Sequence, residues 1–105
     1  MPRFLLGPRS QFSGRGPWRV RRAGRPFEVR RFGEESFVAI ELACRHQNTD
    51  LSGCPERDGL LVCPRHGWRY RAETGECLDD PGRPLRVFAV IGEGERLWIQ
   101  GQEIT

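Results

Sequence analysis

The chain has 105 residues, 37% of them hydrophobic and 30% charged, with a formal net charge of +3. That length suits one domain with a single modest core, and no apolar run approaches the roughly 20 residues a membrane helix needs. The 13 glycines and 8 prolines favour many short strands, so an all-β fold is expected and no helix is predicted.

The N-terminal stretch MPRFLLGPRSQFSGRG is rich in Gly and Pro and is assigned no strand. Its only apolar run is FLL and it has no small-residue cleavage site, so it does not read as a secretory signal. The arginine pairs at 21–22 and 30–31 have no hydrophobic region after them and do not read as an export signal. A cytoplasmic location is the default expectation.

WRVRR (18–22) alternates apolar and charged residues like a half-buried strand; AGRP turns the chain and FEVRRF (27–32) resumes. GEE (33–35) turns again, and SFVAIEL (36–42) is the most apolar of the three runs, which together predict an antiparallel meander. The segment 43–84 differs in kind. It holds all four cysteines and both histidines, with only LLVC (60–63) and WRYR (68–71) resembling strands. LRVFAVI (85–91), a GEGE turn and RLWIQ (96–100) then restore the strand pattern. A framework of six or seven strands is thus predicted, interrupted by a loop-rich insertion at 43–84. Loops anchored at both ends by a rigid sheet are where a small protein can hold a reactive group in fixed geometry.

Charge is unevenly placed. Residues 1–31 carry nine arginines against Glu28, a net of +8, and residues 32–105 carry eight arginines against thirteen acids, a net of −5. The arginines read first as solvated strand positions and second as a docking surface for an acidic partner. No aromatic-interleaved basic motif accompanies them, which argues against nucleic acid.

The chemistry lies in Cys44-x-His46 and, after sixteen further residues, Cys63-x-x-His66. In a reducing compartment, cysteines beside histidines are more often metal ligands than disulfide partners. A Cys₂His₂ zinc finger groups two cysteines and then two histidines; here each pair is mixed. Ligands two apart are awkward for one tetrahedral ion but suit two adjacent ions, as when His₂ replaces Cys₂ on one iron of a 2Fe–2S cluster.

CRH and CPRHGWRYRAETGE closely resemble the Rieske signature. DLSG before the second motif, PGRPLRVFAV after it and the flanking strands extend the resemblance over roughly residues 3–100. The similarity is to soluble bacterial Rieske ferredoxins, as in ring-hydroxylating dioxygenase systems. It implies antiparallel β-sheets in one domain (1–105) with a loop-rich cluster-binding subdomain at about 43–84, and one Rieske 2Fe–2S cluster. By the same resemblance Cys44 and Cys63 hold the inner iron, and His46 and His66 hold the outer iron through Nδ1. Gly67 lets the backbone pass close to the cluster, and Pro81 and Pro84 of PGRP (81–84) belong to a loop covering it.

The resemblance also bears on reduction potential. High-potential members carry an extra disulfide where this chain has Thr49 and Arg65, and a serine where it has Trp68. Both differences point to the lower part of the roughly −150 to +300 mV range. Tyr70 matches a family tyrosine whose hydroxyl bonds a cysteine sulfur, here that of Cys44, and raises the potential slightly. Arg45 and Arg65 flank the histidines, either to steer an acidic partner or as solvated loop tips. Cys54 and Cys77 match no ligand position and are expected to be free thiols, with a disulfide between them as the alternative.

Only two histidines are present, and the cluster takes both, leaving none for a mononuclear iron or a histidine-based triad. The leading expectation is a non-enzymatic one-electron carrier, accepting from a flavin-dependent ferredoxin reductase and delivering to a terminal oxygenase or similar oxidoreductase. A Rieske subunit fixed within a larger oxidoreductase is the alternative, since an aromatic after HG is more typical of oxygenase large subunits. A zinc-stabilised interaction module comes third.

Overall fold

A computed structural model of the chain describes residues 3–33 and 36–104. Glu34 and Glu35, part of the turn predicted at 33–35, lie outside the described residues. Among the described residues eight strands form: β1 (Arg3–Pro8), β2 (Trp18–Arg22), β3 (Arg25–Phe32), β4 (Ser36–Glu41), β5 (Leu60–Val62), β6 (Arg69–Arg71), β7 (Val87–Glu93) and β8 (Arg96–Ile104), with a 3₁₀ turn at Arg9–Phe12. Six of them make one antiparallel sheet in the order β1-β8-β7-β4-β3-β2, and β5 and β6 pair separately.

The predicted meander is present as β2, β3 and β4, in the register Val20↔Phe27 and Val29↔Ala39. Its first turn is shorter than AGRP. Arg25 and Pro26 already belong to β3, so only Ala23 (φ 52) and Gly24 (φ 74) make the bend. Two residues of positive φ match the right-handed twist of the strands that they join.

β1 is a strand that the sequence did not announce. Its partner is β8, nearly a hundred residues away, in the register Phe4↔Ile99 with a shift between Leu5 and Gly7. The sheet curls until its two edges approach, and the Arg22 guanidinium on β2 donates to the Leu6 carbonyl of β1 at 2.7 Å. An edge that gives its free carbonyls to an arginine is less available to another chain.

Two cores lie on opposite faces of the sheet. The inner one packs Leu6, Phe12, Phe27, Val29, Ala39 and Ile99 with their neighbours. The other packs Ile40 and Leu42 at the end of β4 against Leu51, Leu61, Tyr70 and Leu85. Both sides of β4 are therefore covered, which is why SFVAIEL is apolar almost throughout where β2 alternates. Burying each large apolar side chain contributes about 1.5–3 kcal/mol.

The arginines of the first third are largely engaged within the molecule. Glu28, 2% exposed, receives Arg19 at 3.0 Å and Arg30 at 2.7 Å. Arg19 continues to the carbonyls of Ser52 and Cys54, and Arg30 to Glu56. Arg21 pairs with Asp50 at 2.7 Å, and Arg25 grips Glu41 with two bonds of 2.9 and 3.0 Å. Arg19 and Arg21 keep the solvated positions expected of them, but with Arg30 they also reach residues 50–56 of the insertion, while Arg25 ties β3 to β4 through Glu41.

Candidate metal centre

The segment between β4 and β7 is built on one backbone device used three times. Cys44 N–H donates to Thr49 O (2.9 Å) while Asn48 N–H donates back to Cys44 O (2.6 Å). The same pair of bonds joins Cys63 to Trp68 (2.8 Å) and Gly67 to Cys63 (2.9 Å), and again Arg71 to Glu76 (2.8 Å) and Gly75 to Arg71 (2.7 Å). The fifth residue of each turn is left-handed: Asn48 (φ 54), Gly67 (φ 75) and Gly75 (φ 82). Asn and Gly are the residues that adopt this conformation at least cost. Each turn closes an antiparallel pair, flanked by the Ala43↔Asp50 bridge, by β5 and β6, and by the Tyr70↔Cys77 bridge.

This repeated turn explains the motifs. Cys44 and Cys63 hold equivalent first positions, and the histidine stands third in one turn and fourth in the other. Gly67 is required by its φ, since a Cβ there would meet no protein atom within 4 Å. Its N–H is already engaged by Cys63 O. Gly75, the glycine of the downstream TG, combines positive φ with a Cβ position only 3.2 Å from the Leu85 Cβ.

Four of the predicted residues come together where the first two turns meet. The Cys44 and Cys63 thiols are buried and free, and both belong to the same core cluster. The His46 and His66 rings meet edge to face at 4.4 Å. Among the described residues no three His, Cys, Asp or Glu side chains converge as a single metal ion would require; the donors separate into a thiol pair and an imidazole pair.

The protonation pattern suits metal ligation through Nδ1. His46 Nδ1 is buried without a hydrogen-bond partner, an arrangement that costs free energy unless something else satisfies the nitrogen. His66 Nε2 lies 3.0 Å from the Gln47 side-chain oxygen, which places the proton on Nε2 and leaves Nδ1 with its lone pair. Burial raises the Cys63 thiol pKa, but the N–H groups of Arg65 and His66, with smaller help from Cys44 and Thr49, pull it down further, so the net shift is downward. Donors that favour a thiolate also favour a thiolate ligand.

The surrounding residues fall into place around this centre. Tyr70 is fully buried, with its hydroxyl 3.2 Å from Cys44 Sγ, and it accepts the Arg45 N–H at 2.9 Å. With that N–H on its oxygen, the phenol proton is free to point at sulfur. Burial first, then the Cys44 contact, hold its pKa well above the ordinary value. The Trp68 ring is half-buried and tilted over His46 at 4.9 Å. Pro81 and Pro84 are exposed, and Arg45 ties their loop to the first turn through the Pro84 carbonyl at 2.8 Å. Cys77 is buried and Cys54 half-buried, and both are free thiols. Cys54 lines a cleft of about 580 Å³ beside the second turn, together with Pro55, Leu60, Val62 and Pro64. Sequence reasoning missed Gln47 and Asn48; only the positive φ and the cross-turn bond reveal them.

Two thiols beneath two imidazoles, on twin turns carried by an antiparallel sheet, define an iron–sulfur protein of small size. The chain belongs to the Rieske [2Fe-2S] domain family, which matches residues 3–89. Its cofactor is one Rieske-type 2Fe–2S cluster. It is 35% identical over 88 residues to the ferredoxin CarAc of Metapseudomonas resinovorans, covering 81% of this chain and 80% of that protein. It is 33% identical over 67 residues to the ferredoxin component of the alkene monooxygenase system of Xanthobacter autotrophicus, covering 63% of this chain and 55% of that one. A match of 33% over 75 residues to the aminopyrrolnitrin oxygenase PrnD of Pseudomonas fluorescens spans 20% of the oxygenase. Among solved structures, a chain from the complex of reduced oxygenase and oxidized ferredoxin in carbazole 1,9a-dioxygenase superposes with a TM-score of 0.63 at 28% identity, covering 98% of this chain and 96% of that one. Among the described residues, no helix is long and apolar enough to cross a membrane.

Proposed function

We propose that the protein is a one-electron carrier whose cluster is held by Cys44 and Cys63 at the inner iron and by His46 and His66 at the outer iron. When bound, the cluster supplies a reversible one-electron couple. The single observation that carries the assignment is the buried, unpartnered Nδ1 of His46 against the His66 ring, above two free buried thiols. The chain's own residues then have distinct tasks. Tyr70 and the Arg45 N–H fix the Cys44 sulfur, Gln47 fixes the tautomer of His66, and Trp68 shields one face of His46 from water. Exposed His66 gives an outward route for the electron, while the buried thiols insulate the other end.

The electron passes, on this proposal, from a flavin-dependent ferredoxin reductase to a terminal oxygenase, in the cytoplasm. Likeness to the ferredoxin CarAc and to the ferredoxin component of an alkene monooxygenase system supports the carrier role over catalysis. Residues 1–105 serve as a single Rieske unit, with 43–84 as the part that binds the cluster. A second reading, a subunit fixed within a larger oxidoreductase, is favoured by the match to an oxygenase and by Trp68 after HG; co-purification of a large catalytic subunit would establish it.

The test is the purified protein itself. Equal iron and acid-labile sulfide, a red-brown colour and a reduced EPR signal of low average g are expected, and changing His46 or His66 to Ala abolishes that signal. Stoichiometric zinc in a colourless protein would sink the proposal. Potentiometry should place the couple in the lower part of the family range, below about +100 mV.

A further inference from the structure

Most arginines of the sheet have partners within the molecule, but the two beside the histidines have no acid. Arg45 is half-buried and its guanidinium bonds only a carbonyl, that of Pro84. Arg65 is exposed and its side chain makes no hydrogen bond or ion pair among the described residues. Nearby Arg69 is matched by Asp79 at 2.9 Å and Arg83 by Asp80 at 3.5 Å. Uncompensated positive charge therefore sits at the one place where His66 reaches the surface. By contrast Glu28, Glu41, Asp50 and Glu56 are all taken up by arginines farther back.

We propose that Arg45 and Arg65 form a charge-selecting collar around the exposed histidine edge, and that the electron-transfer partner docks there with an acidic protein surface. This rests on the electron-carrier assignment above and extends it to the chemistry of the partner. Local charge of one sign beside a redox edge raises the encounter rate with oppositely charged partners and orients them before transfer. Two arginines are fewer than the clusters of four to eight basic residues that mark binding to anionic lipid. The one ring beside the collar among the described residues, Trp68, is half-buried and packed on His46, so no run of exposed rings of the kind used for single-stranded nucleic acid is offered there. A protein carboxylate surface is the occupant that fits.

The experiment measures stopped-flow oxidation of the reduced holoprotein at low and high salt. Hexacyanoferrate(III) takes one electron to become hexacyanoferrate(II), with no bond made or broken, and hexaammineruthenium(III) does the same as a cation. Arg65→Glu and the double variant Arg45→Glu/Arg65→Glu are compared with Arg96→Glu. Arg96 begins β8, next to the turn at the far end of β7 from the insertion, and Arg96→Glu changes the net charge as much as Arg65→Glu. At low salt the double variant is expected to slow the anionic oxidant about tenfold and to speed the cationic one. Arg65→Glu moves both rates the same way by less, Arg96→Glu leaves both near wild type, and high salt erases the differences. Soluble cytochrome b5, an acidic one-electron haem protein, should follow the anionic oxidant.

Equal effects of Arg65→Glu and Arg96→Glu, or no effect of either, would overturn the collar. A response to hexacyanoferrate without one to cytochrome b5 would overturn the protein partner. So would binding of the holoprotein to phosphatidylserine vesicles that Arg65→Glu weakens. If the double variant loses its cluster, Arg65→Glu alone decides, because its side chain holds no structural bond. Absence of the iron–sulfur EPR signal from the wild-type protein is a different failure, that of the carrier assignment itself.

Discussion

Tyr70 shows how a single hydroxyl can act on the electron affinity of the centre. Its oxygen lies 3.2 Å from the Cys44 sulfur, and a hydroxyl that donates to a ligand sulfur stabilises the added electron. Tyr70→Phe is expected to lower the reduction potential by about 40 mV, the equivalent of a hydrogen bond of about 1 kcal/mol in a one-electron couple. Potentiometry checks this, and an unchanged potential would remove Tyr70 from the tuning set. The Tyr70–Cys44 bond was legible in the residue pattern because tyrosine and cysteine stand in a recognisable motif. The Gln47–His66 bond was not, since an amide nineteen positions from its partner carries no periodic signal. Asn48 was hidden for a related reason: its role is a backbone angle, and asparagine in a polar loop has many uses.

At the scale of elements, strands with alternation or continuous apolar runs were readable to within a few residues, from β2 to β8. β1 was not, because Gly7 and Pro8 break its pattern and its pairing with β8 is set by tertiary contact. The β2–β3 turn offers a direct test. Ala23 sits at φ 52 before Gly24, where an L residue with a Cβ is strained and Asn-Gly is preferred. Ala23→Asn should stabilise the holoprotein by about 0.5–1 kcal/mol in urea unfolding. Glu28 offers the opposite test. Glu28→Ala leaves Arg19 and Arg30 without their shared carboxylate, and a loss of about 2–3 kcal/mol is expected, below the full cost of a wholly buried pair because Arg19 is partly solvated. Asp50 adds a pH dependence. Bonds from the side chain and N–H of Ser52, then Arg21, hold its pKa at about 2. A lowered pKa stabilises the fold above the ordinary carboxylate value and ceases to do so as pH falls from about 4 toward 2. Asp50 is well exposed, so the contribution is below about 1 kcal/mol; Asp50→Asn should flatten the acid limb of the stability profile by that amount.

For the whole molecule, the decisive fact is that two cores share one strand. The inner core of Phe27, Val29 and Ile99 contains none of the cysteines, whereas the other contains Cys44, Cys63 and Cys77. Stripping iron from the protein should therefore loosen the two halves unequally. Hydrogen exchange followed by mass spectrometry is expected to show lost protection at 43–49 and 63–70 while β3, β4 and β8 stay protected. Uniform loss throughout would mean that the sheet depends on the cluster. The excursion from β4 to β7 also leaves and returns on neighbouring strands, with Ile40 opposite Val87. Its two feet stand about 5 Å apart, so in topology the cluster-bearing half is one very long hairpin loop. Closing such a loop costs little more as it lengthens. The segment is thus a cassette whose socket has three parts: two neighbouring strands at that gap, an apolar outer face like that of Ile40 and Leu42, and the arginines of β2 and β3 that hold residues 50–56.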